Sequence, residues 1–140
     1  MKKGRIIKKD SEIKEILEQS KSIAVLGLSS NPEKDSYHVA EYLINHNYKI
    51  IPVRPGSGEL FGSKIYENLD LIEDKIDILD VFRRSELIMD HVDEAIRLKP
   101  AVFWMQLGIK NEEAAEKLVQ NGINVIMDRC IKIEYARLCR

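Results

Sequence analysis

The chain has 140 residues, 44% of them hydrophobic and 32% charged, which is typical of one soluble globular domain spanning residues 1–140. Its formal net charge of −1 gives no overall attraction to nucleic acids or to anionic membranes. No apolar run approaches the length of a membrane span, and the basic start "MKKGRIIKKD" lacks the apolar stretch of a signal peptide, so we expect a cytoplasmic protein.

Five apolar segments rich in β-branched residues are predicted as strands covered on both faces: 22–28, 48–53, 76–82, 101–107 and 123–128. Apolar residues at helical spacing predict five helices around them: 10–20, 36–47, 85–99, 111–121 and 131–138. Three helix N-caps and one helix stop are predicted: Ser36, Ser85, Asn111 and Gly122. The alternation predicts an α/β fold, a doubly wound parallel sheet of about five strands with helices on both faces.

The second strand and the segment after it depart from this pattern. Pro52 lies inside a strand that we expect to be internal, where proline is disfavoured, so we place it near the strand's end, where a ladder bond is already absent. After this strand, the glycines of residues 54–69 predict a loop with one short turn in place of a regular helix.

Ligands of open parallel sheets bind beyond the carboxyl ends of the strands, where the strand order reverses. The residues at these ends are therefore the candidate site: Gly27-Leu28-Ser29-Ser30, Arg54-Pro55, Phe82-Arg83-Arg84, Gln106-Leu107-Gly108 and Asp128-Arg129-Cys130. The first loop suits an anion, because Gly27 permits a tight turn, two serines supply hydroxyls and a helix N-terminus follows. Lys34 adds a positive charge, although many loops of this composition bind nothing.

Arg54 stands where a protein that binds NAD normally has an acidic residue for the ribose 2′-hydroxyl. A cation suits a ribose phosphate, and two ligands carry one: NADP and coenzyme A. The alternative is that Arg54 is a solvated side chain that binds no ligand. Phe82 either caps the core or packs on an adenine or a pantetheine arm, with Arg83 near a phosphate. Gln106 offers a carboxamide to an amide, and Gly108 lets a ligand chain pass close.

Residues that indicate catalysis are few. The three histidines, His38, His46 and His91, lack the spacing of a helical metal site, and the sequence has neither a nucleophile elbow nor a P-loop. Asp80 is expected to make a local hydrogen bond.

Cys130 is the exception, because it falls near the start of the last helix, where the helix dipole favours a thiolate. A mixed disulfide with a thiol ligand and an inert buried cysteine are both open at this point. Cys139 lies nine residues further on, so on one helix the two cysteines occupy opposite faces and cannot pair.

Several segments together closely resemble the small stand-alone CoA-binding proteins, which are related to the CoA-binding domain of the succinyl-CoA synthetase α chain. These segments, "VLGLSSNPEKDSYHVAEYL", "YKIIPVRP", "DVFRRSE", "VFWMQLGIKNEEAAEKL" and "GINVIMDRCIKIEYARL", follow in the family's order and cover residues 22–138. The resemblance implies a Rossmann-like fold with coenzyme A across the strand ends. The chain departs from the family at Arg54, where asparagine is frequent.

The resemblance also implies a set of cofactor-binding residues. The loop after the first strand receives phosphates, the second strand end lies near the ribose phosphate, and the later loops flank the nucleotide or the arm. The expected residues are Gly27, Leu28, Ser29, Ser30, Lys34, Tyr37, Val53, Arg54, Pro55, Phe82, Arg83, Gln106, Gly108, Arg129 and Cys130.

Two functions remain open from the sequence. The first is a CoA-binding or acyl-CoA-binding module without evident catalytic machinery, which holds the CoA thiol near Cys130. The second is an NADP-dependent oxidoreductase module, which normally needs a substrate domain. A subunit that completes an enzyme with a partner chain is a third possibility.

Overall fold

The chain forms twelve helices and strands in a computed structural model that describes residues 2–139. In chain order they are α1 Asp10–Gln19, β1 Ser22–Leu26, α2 Asp35–Asn45, β2 Lys49–Val53, β3 Glu59–Leu60, β4 Ser63–Lys64, β5 Ile78–Val81, α3 Val92–Leu98, β6 Val102–Met105, α4 Glu112–Gln120, β7 Asn124–Ile126 and α5 Ile131–Leu138. Two 3-10 segments lie at Leu69–Leu71 and Ser85–His91. Within residues 2–139, no helix combines the length and the apolar character that a membrane crossing needs.

Five parallel strands make the main sheet in the order β2-β1-β5-β6-β7. The chain runs outward from β1 to β2 and then returns to the other side of β1, so the strand order reverses between β1 and β5. Helices α1, α2 and α5 pack on one face, and α3 and α4 pack on the other. The predicted Rossmann-like α/β fold is confirmed.

Two hydrophobic clusters, one on each face, hold these layers together. Successive residues of a strand point to opposite faces, so Phe103 belongs to the α3 and α4 face and Trp104 to the α1, α2 and α5 face. Both side chains are fully buried. The central strands therefore carry unbroken apolar runs, because both of their faces lie under helices.

Pro52 is explained by the position of its strand. The expectation that this strand is internal is wrong, because β2 is the edge of the five-stranded sheet. The carbonyl of Pro52 accepts from the backbone N–H of Tyr66 on the outer side, whereas the next carbonyl, of Val53, accepts from Gly27 on the β1 side. The missing N–H of Pro52 thus faces outward and removes no bond between β1 and β2.

The segment after β2 contains more structure than predicted. It forms the small antiparallel hairpin of β3 and β4, whose turn has positive φ at Phe61 and Gly62. Tyr66 then bridges to Val53 in parallel and covers the outer edge of β2. The prediction of one short turn within residues 54–69 thus missed the hairpin, and the 3-10 segment Leu69–Leu71 begins only at the end of this segment.

Two of the predicted helix boundaries are wrong. α2 begins at Asp35, and Ser36 is buried inside it, where its Oγ accepts from the backbone N–H of Ser29. Ser85 opens a 3-10 segment instead of an α-helix, and its Oγ accepts from the backbone N–H of Lys110. In both cases the hydroxyl accepts from a loop N–H instead of capping its own helix, seven residues away for Ser36 and 25 residues away for Ser85.

The predicted boundaries of α4 are confirmed. The side chain of Asn111 accepts from the N–H of Ala114, as an N-cap does. Gly122 follows the end of the helix with a φ of 84°, and its N–H donates to the carbonyl of Val119.

Candidate functional site

The loops after β1, β2 and β5 meet at the point where the strand order reverses. The N–H of Gly27 donates to the carbonyl of Val53 at 2.9 Å, and the N–H of Phe82 donates to the carbonyl of Leu26 at 2.9 Å. Gly27 has a φ of +85°, and a Cβ there would lie 2.5 Å from the backbone oxygen of Phe82. A glycine is therefore required for the three loops to approach this closely.

Arg54 lies on the same side of the sheet edge as the first loop. Its Nη1 is 3.4 Å from the carbonyl oxygen of Leu28, and its Nε is 3.5 Å from that of Pro55. The side chain is half-buried, and these long contacts with neutral carbonyls leave its charge without a carboxylate partner among the described residues. The two strand ends expected to share a phosphate-rich ligand are thus neighbours.

The loop between β1 and α2 is braced by its own serines and asparagine. The Oγ of Ser29 accepts from the N–H of Asn31 at 3.0 Å, and the Asn31 Oδ1 accepts from the N–H of Glu33 at 3.0 Å. Ser30 and Lys34 are exposed. Within residues 2–139, no side chain caps the N-terminus of α2, so its first N–H groups stay available to an anion.

The β3–β4 hairpin adds a residue that the sequence did not indicate. The ring of Phe61 lies 4.6 Å from that of Tyr37, centroid to centroid, at an interplanar angle of 44°. This contact joins the hairpin turn to the first turn of α2, beside the Gly27 loop. Phe61 has no helical or strand periodicity around it, so only the fold shows that it belongs here.

A cavity of about 390 Å³ opens between α2, the loops after β5 and β6, and the start of α5. Its lining is mainly apolar and includes Phe82 and Gln106 from the strand ends, with Val39 from α2 and Cys130 at the start of α5. A second hollow, of about 450 Å³, shares Phe82 with it and runs along the loop after β5. The two hollows also share Leu107 and Ile109, so they adjoin at the sheet edge.

Arg83 and Gly108 line the second hollow. The Nε of Arg83 is buried and has no hydrogen-bond partner among the described residues. A buried guanidinium nitrogen normally finds an acceptor, so this nitrogen suits an anionic or carbonyl oxygen of a ligand. Gly108 is held by its N–H, which donates to the Asp128 Oδ1 at 2.7 Å.

Asp128 lies at a predicted strand end but is not among the residues expected to bind the cofactor. It has a φ of 59°, and its own N–H donates to the carbonyl of Ile109 at 3.0 Å. It therefore ties the loop after β6 to the loop after β7. Its place at the end of the fifth predicted strand is visible in the sequence, but that position does not reveal a structural bridge.

Gln106 is 4% exposed and lines the first cavity. Its Nε2 donates to the Oδ1 of Asp80, which is fully buried in β5. The partner of Asp80 is therefore not the expected local one but lies 26 residues away, beyond the end of the neighbouring strand β6. Burial raises the pKa of the Asp80 carboxyl to about 8, and the bond from Gln106 offsets only part of that effect. The other carboxyl oxygen, Oδ2, has no partner among the described residues.

The predicted pair Arg129 and Cys130 is separated by the fold. Cys130 is half-buried at the N-cap of α5 and faces the first cavity. The Arg129 guanidinium instead bonds the buried carboxylate of Glu134 and the carbonyl of Lys8, and it lines another hollow. Arg129 is therefore engaged in an internal ion pair, while Cys130 lines the first cavity. Both Cys130 and the buried Cys139 are free thiols.

Over residues 2–139, the structure contains no cluster of three or more His, Cys, Asp or Glu side chains that could hold a metal ion.

Comparisons with known proteins give a consistent result. A family model described as "CoA binding domain" matches residues 21–136. The uncharacterized protein YneT of Bacillus subtilis is 45% identical over 126 residues, which cover 90% of this chain and 93% of that protein. A solved structure from Thermus thermophilus, cell-free ID.343, superposes with a TM-score of 0.90 at 38% identity, covering 94% of this chain and 99% of the other.

A larger enzyme also shares part of the sequence. The ADP-forming acetate–CoA ligase of Methanocaldococcus jannaschii is 37% identical over 70 residues, which are 50% of this chain. The matched region is 10% of that enzyme, so this chain corresponds to a small part of it.

Proposed function

We propose, since the chain belongs to the CoA-binding domain family, that it binds coenzyme A or an acyl-CoA across the carboxyl ends of the parallel strands. The observation that carries this proposal is the contact between the Arg54 and Gly27 loops, at the sheet edge where the two adjoining hollows open. The reversal of strand order at such an edge is the usual ligand position in open α/β sheets.

In this proposal the phosphates occupy the rim formed by the first two loops. The uncapped N-terminus of α2 and the hydroxyls of Ser29 and Ser30 bind the diphosphate, with Lys34 adding charge. Arg54 binds the ribose 3′-phosphate, because its guanidinium has no carboxylate partner in the described structure.

The pantetheine arm then lies in the apolar cavity. Phe82 packs against it, and Gln106 offers hydrogen bonds to its amides. The neighbouring hollow, through which the pantetheine arm enters, is lined by Arg83 and Gly108. The Nε of Arg83 has no hydrogen-bond partner among the described residues. Tyr37 and Phe61 cover the loop that binds the diphosphate.

Isothermal titration calorimetry with CoA, dephospho-CoA and NADPH tests this assignment. We expect the unmodified protein to bind CoA more tightly than dephospho-CoA and more tightly than NADPH. The Arg54→Ala variant should bind CoA and dephospho-CoA with equal affinity. Arg97→Ala is the matched control, because Arg97 pairs with Asp70 on a different surface and should retain the preference for CoA. Tighter binding of NADPH than of CoA would contradict the proposal and favour an oxidoreductase.

The same pose brings the CoA thiol toward Cys130. We propose that the Cys130 thiolate attacks one sulfur of a CoA disulfide, forming a Cys130–CoA mixed disulfide and releasing one CoA thiolate. Support comes from the half-buried thiol on the cavity wall at the N-terminus of α5. Mass spectrometry after incubation with CoA disulfide should show one adduct that dithiothreitol removes. Cys130→Ser should abolish the adduct, and Cys139→Ser should retain it.

A further inference from the structure

A carboxyl group next to the cavity has no part in the proposed CoA contacts. Asp80 lies in the middle of the sheet, with Val25 of β1 and Trp104 of β6 as its register neighbours. Its side chain is fully buried on the face covered by α2 and α5, the same face on which the cavity opens. Through the bond to Gln106, it is one residue removed from the cavity.

The surroundings of Asp80 do not support a charge. One oxygen accepts from Gln106, and the other has no partner within the described residues. The titratable groups that line the cavity from α2 and the start of α5 are Asp35, His38, Cys130 and Lys132. The pKa of Asp80 is shifted by burial and by the bond from Gln106, not by any of these groups. An isolated carboxylate with a single hydrogen bond is costly in such a place, whereas a neutral acid is tolerated.

We propose that Asp80 is a positioning residue of the ligand site, a neutral carboxylic acid whose Oδ1 holds the Gln106 carboxamide in one orientation at the cavity. The inference rests on the proposed function. With one Nε2 hydrogen committed to Asp80, Gln106 keeps its Oε1 and its second Nε2 hydrogen for the ligand. That combination of acceptor and donor suits the amides of a pantetheine arm.

Ionisation of Asp80 then works against binding. When the acid releases its proton to solvent, a negative charge is left beside a ligand that already carries several phosphate charges. Burial raises the pKa of Asp80 to about 8, which places this change within a practical pH range. Affinity should therefore fall as the pH rises through that value, and an asparagine at this position should remove the fall.

Calorimetry between pH 7 and pH 9.5 tests the inference. The ligand is S-methyl-CoA and the background is Cys130→Ser, so that no thiol at the site titrates. We expect the affinity of the reference protein to fall about sevenfold over this range, the result of a one-unit rise of the Asp80 pKa on binding. Asp80→Asn should bind S-methyl-CoA equally at both ends of the range, because its carboxamide does not ionise. Its amide oxygen still accepts from Gln106, so the affinity itself should be retained.

Two further variants separate positioning from a structural role. The leucine of Asp80→Leu cannot accept a hydrogen bond from the Gln106 carboxamide, so we expect this variant to bind S-methyl-CoA more weakly at pH 7. Asp80→Asn, which keeps an acceptor, should bind it as the reference protein does. Asp93→Asn, an exposed carboxylate paired with Lys117, is the control and should keep the pH dependence of the reference protein. If a variant fails to fold, the 13Cγ resonance of Asp80 in the reference protein reports the same titration, with and without ligand.

The outcomes distinguish this inference from the proposed function. Binding of CoA with a flat pH profile, or with the same decline in Asp80→Asn, overturns the role of Asp80 and leaves CoA binding intact. An Asp80 13Cγ resonance that titrates at the same pH with and without ligand also overturns the role of Asp80 and leaves CoA binding intact. Failure of the unmodified chain to bind CoA at any pH overturns both proposals.

Discussion

Replacing Asp80 with asparagine should make the protein more stable at neutral pH. In the folded protein the pKa of Asp80 is about 8, against an ordinary value of 3.8, because the carboxyl is fully buried in β5 with one hydrogen bond. The folded state therefore retains a proton that the unfolded chain releases. The stabilising contribution is complete below pH 3.8 and is lost progressively as the pH rises toward 8.

The magnitude follows from this difference in proton binding. Between these two pKa values, each pH unit lowers the free energy of unfolding by about 1.4 kcal/mol. Raising the pH from 5 to 7 should thus cost the unmodified protein about 3 kcal/mol at this residue. A carboxamide cannot ionise, so the Asp80→Asn variant should escape the loss while keeping a polar side chain of the same size next to Gln106.

Urea unfolding at pH 5, 6 and 7 measures the difference directly. At each step from pH 5 to 7, the urea midpoint of Asp80→Asn should rise relative to that of the unmodified protein. The slope of the unfolding free energy against urea concentration should stay the same for both proteins. Asp93→Asn is the control, because its exposed carboxylate has a lowered pKa, caused by its bond to Lys117, and stays ionised throughout this range. Parallel pH profiles for the unmodified protein and Asp80→Asn would refute the reasoning.

Three further substitutions test the fold around the site, each by chemical denaturation. Gly27→Ala should cost at least about 2 kcal/mol, because a Cβ in the left-handed region also meets the Phe82 carbonyl; a neutral result would contradict this. Asn111→Ala should cost about 1 kcal/mol by removing the cap on Ala114, and Asn111→Asp should retain stability. Trp104→Phe should cost at least about 1 kcal/mol, since the indole N–H bonds a backbone carbonyl in the loop after β7; an unchanged midpoint would exclude a stabilising role for that bond.

The sequence by itself determined the layered architecture. Unbroken apolar runs over five segments, separated by helical periodicity, can be satisfied only by strands buried on both faces. Parallel strands place their carboxyl ends at one edge, so the loops that begin at Gly27, Arg54 and Phe82 had to lie at the same edge. Local signals of this kind also located the ends of α4, because Asn111 and Gly122 act within one helical turn.

The tertiary structure alone decided which polar side chains face a ligand and which bond to the protein. The hydroxyl of Ser36 is used by a loop rather than by the helix end, and Arg129 bonds Glu134 rather than facing the cavity with Cys130. The pairing of Asp80 with Gln106 joins residues on neighbouring strands. Asp80 and Gln106 lie 26 residues apart, and their bond depends on strand order and register. The bonds of Ser36 and Arg129 reach residues seven and five positions away and depend on how the chain folds back at the start of each helix. Local periodicity encodes neither.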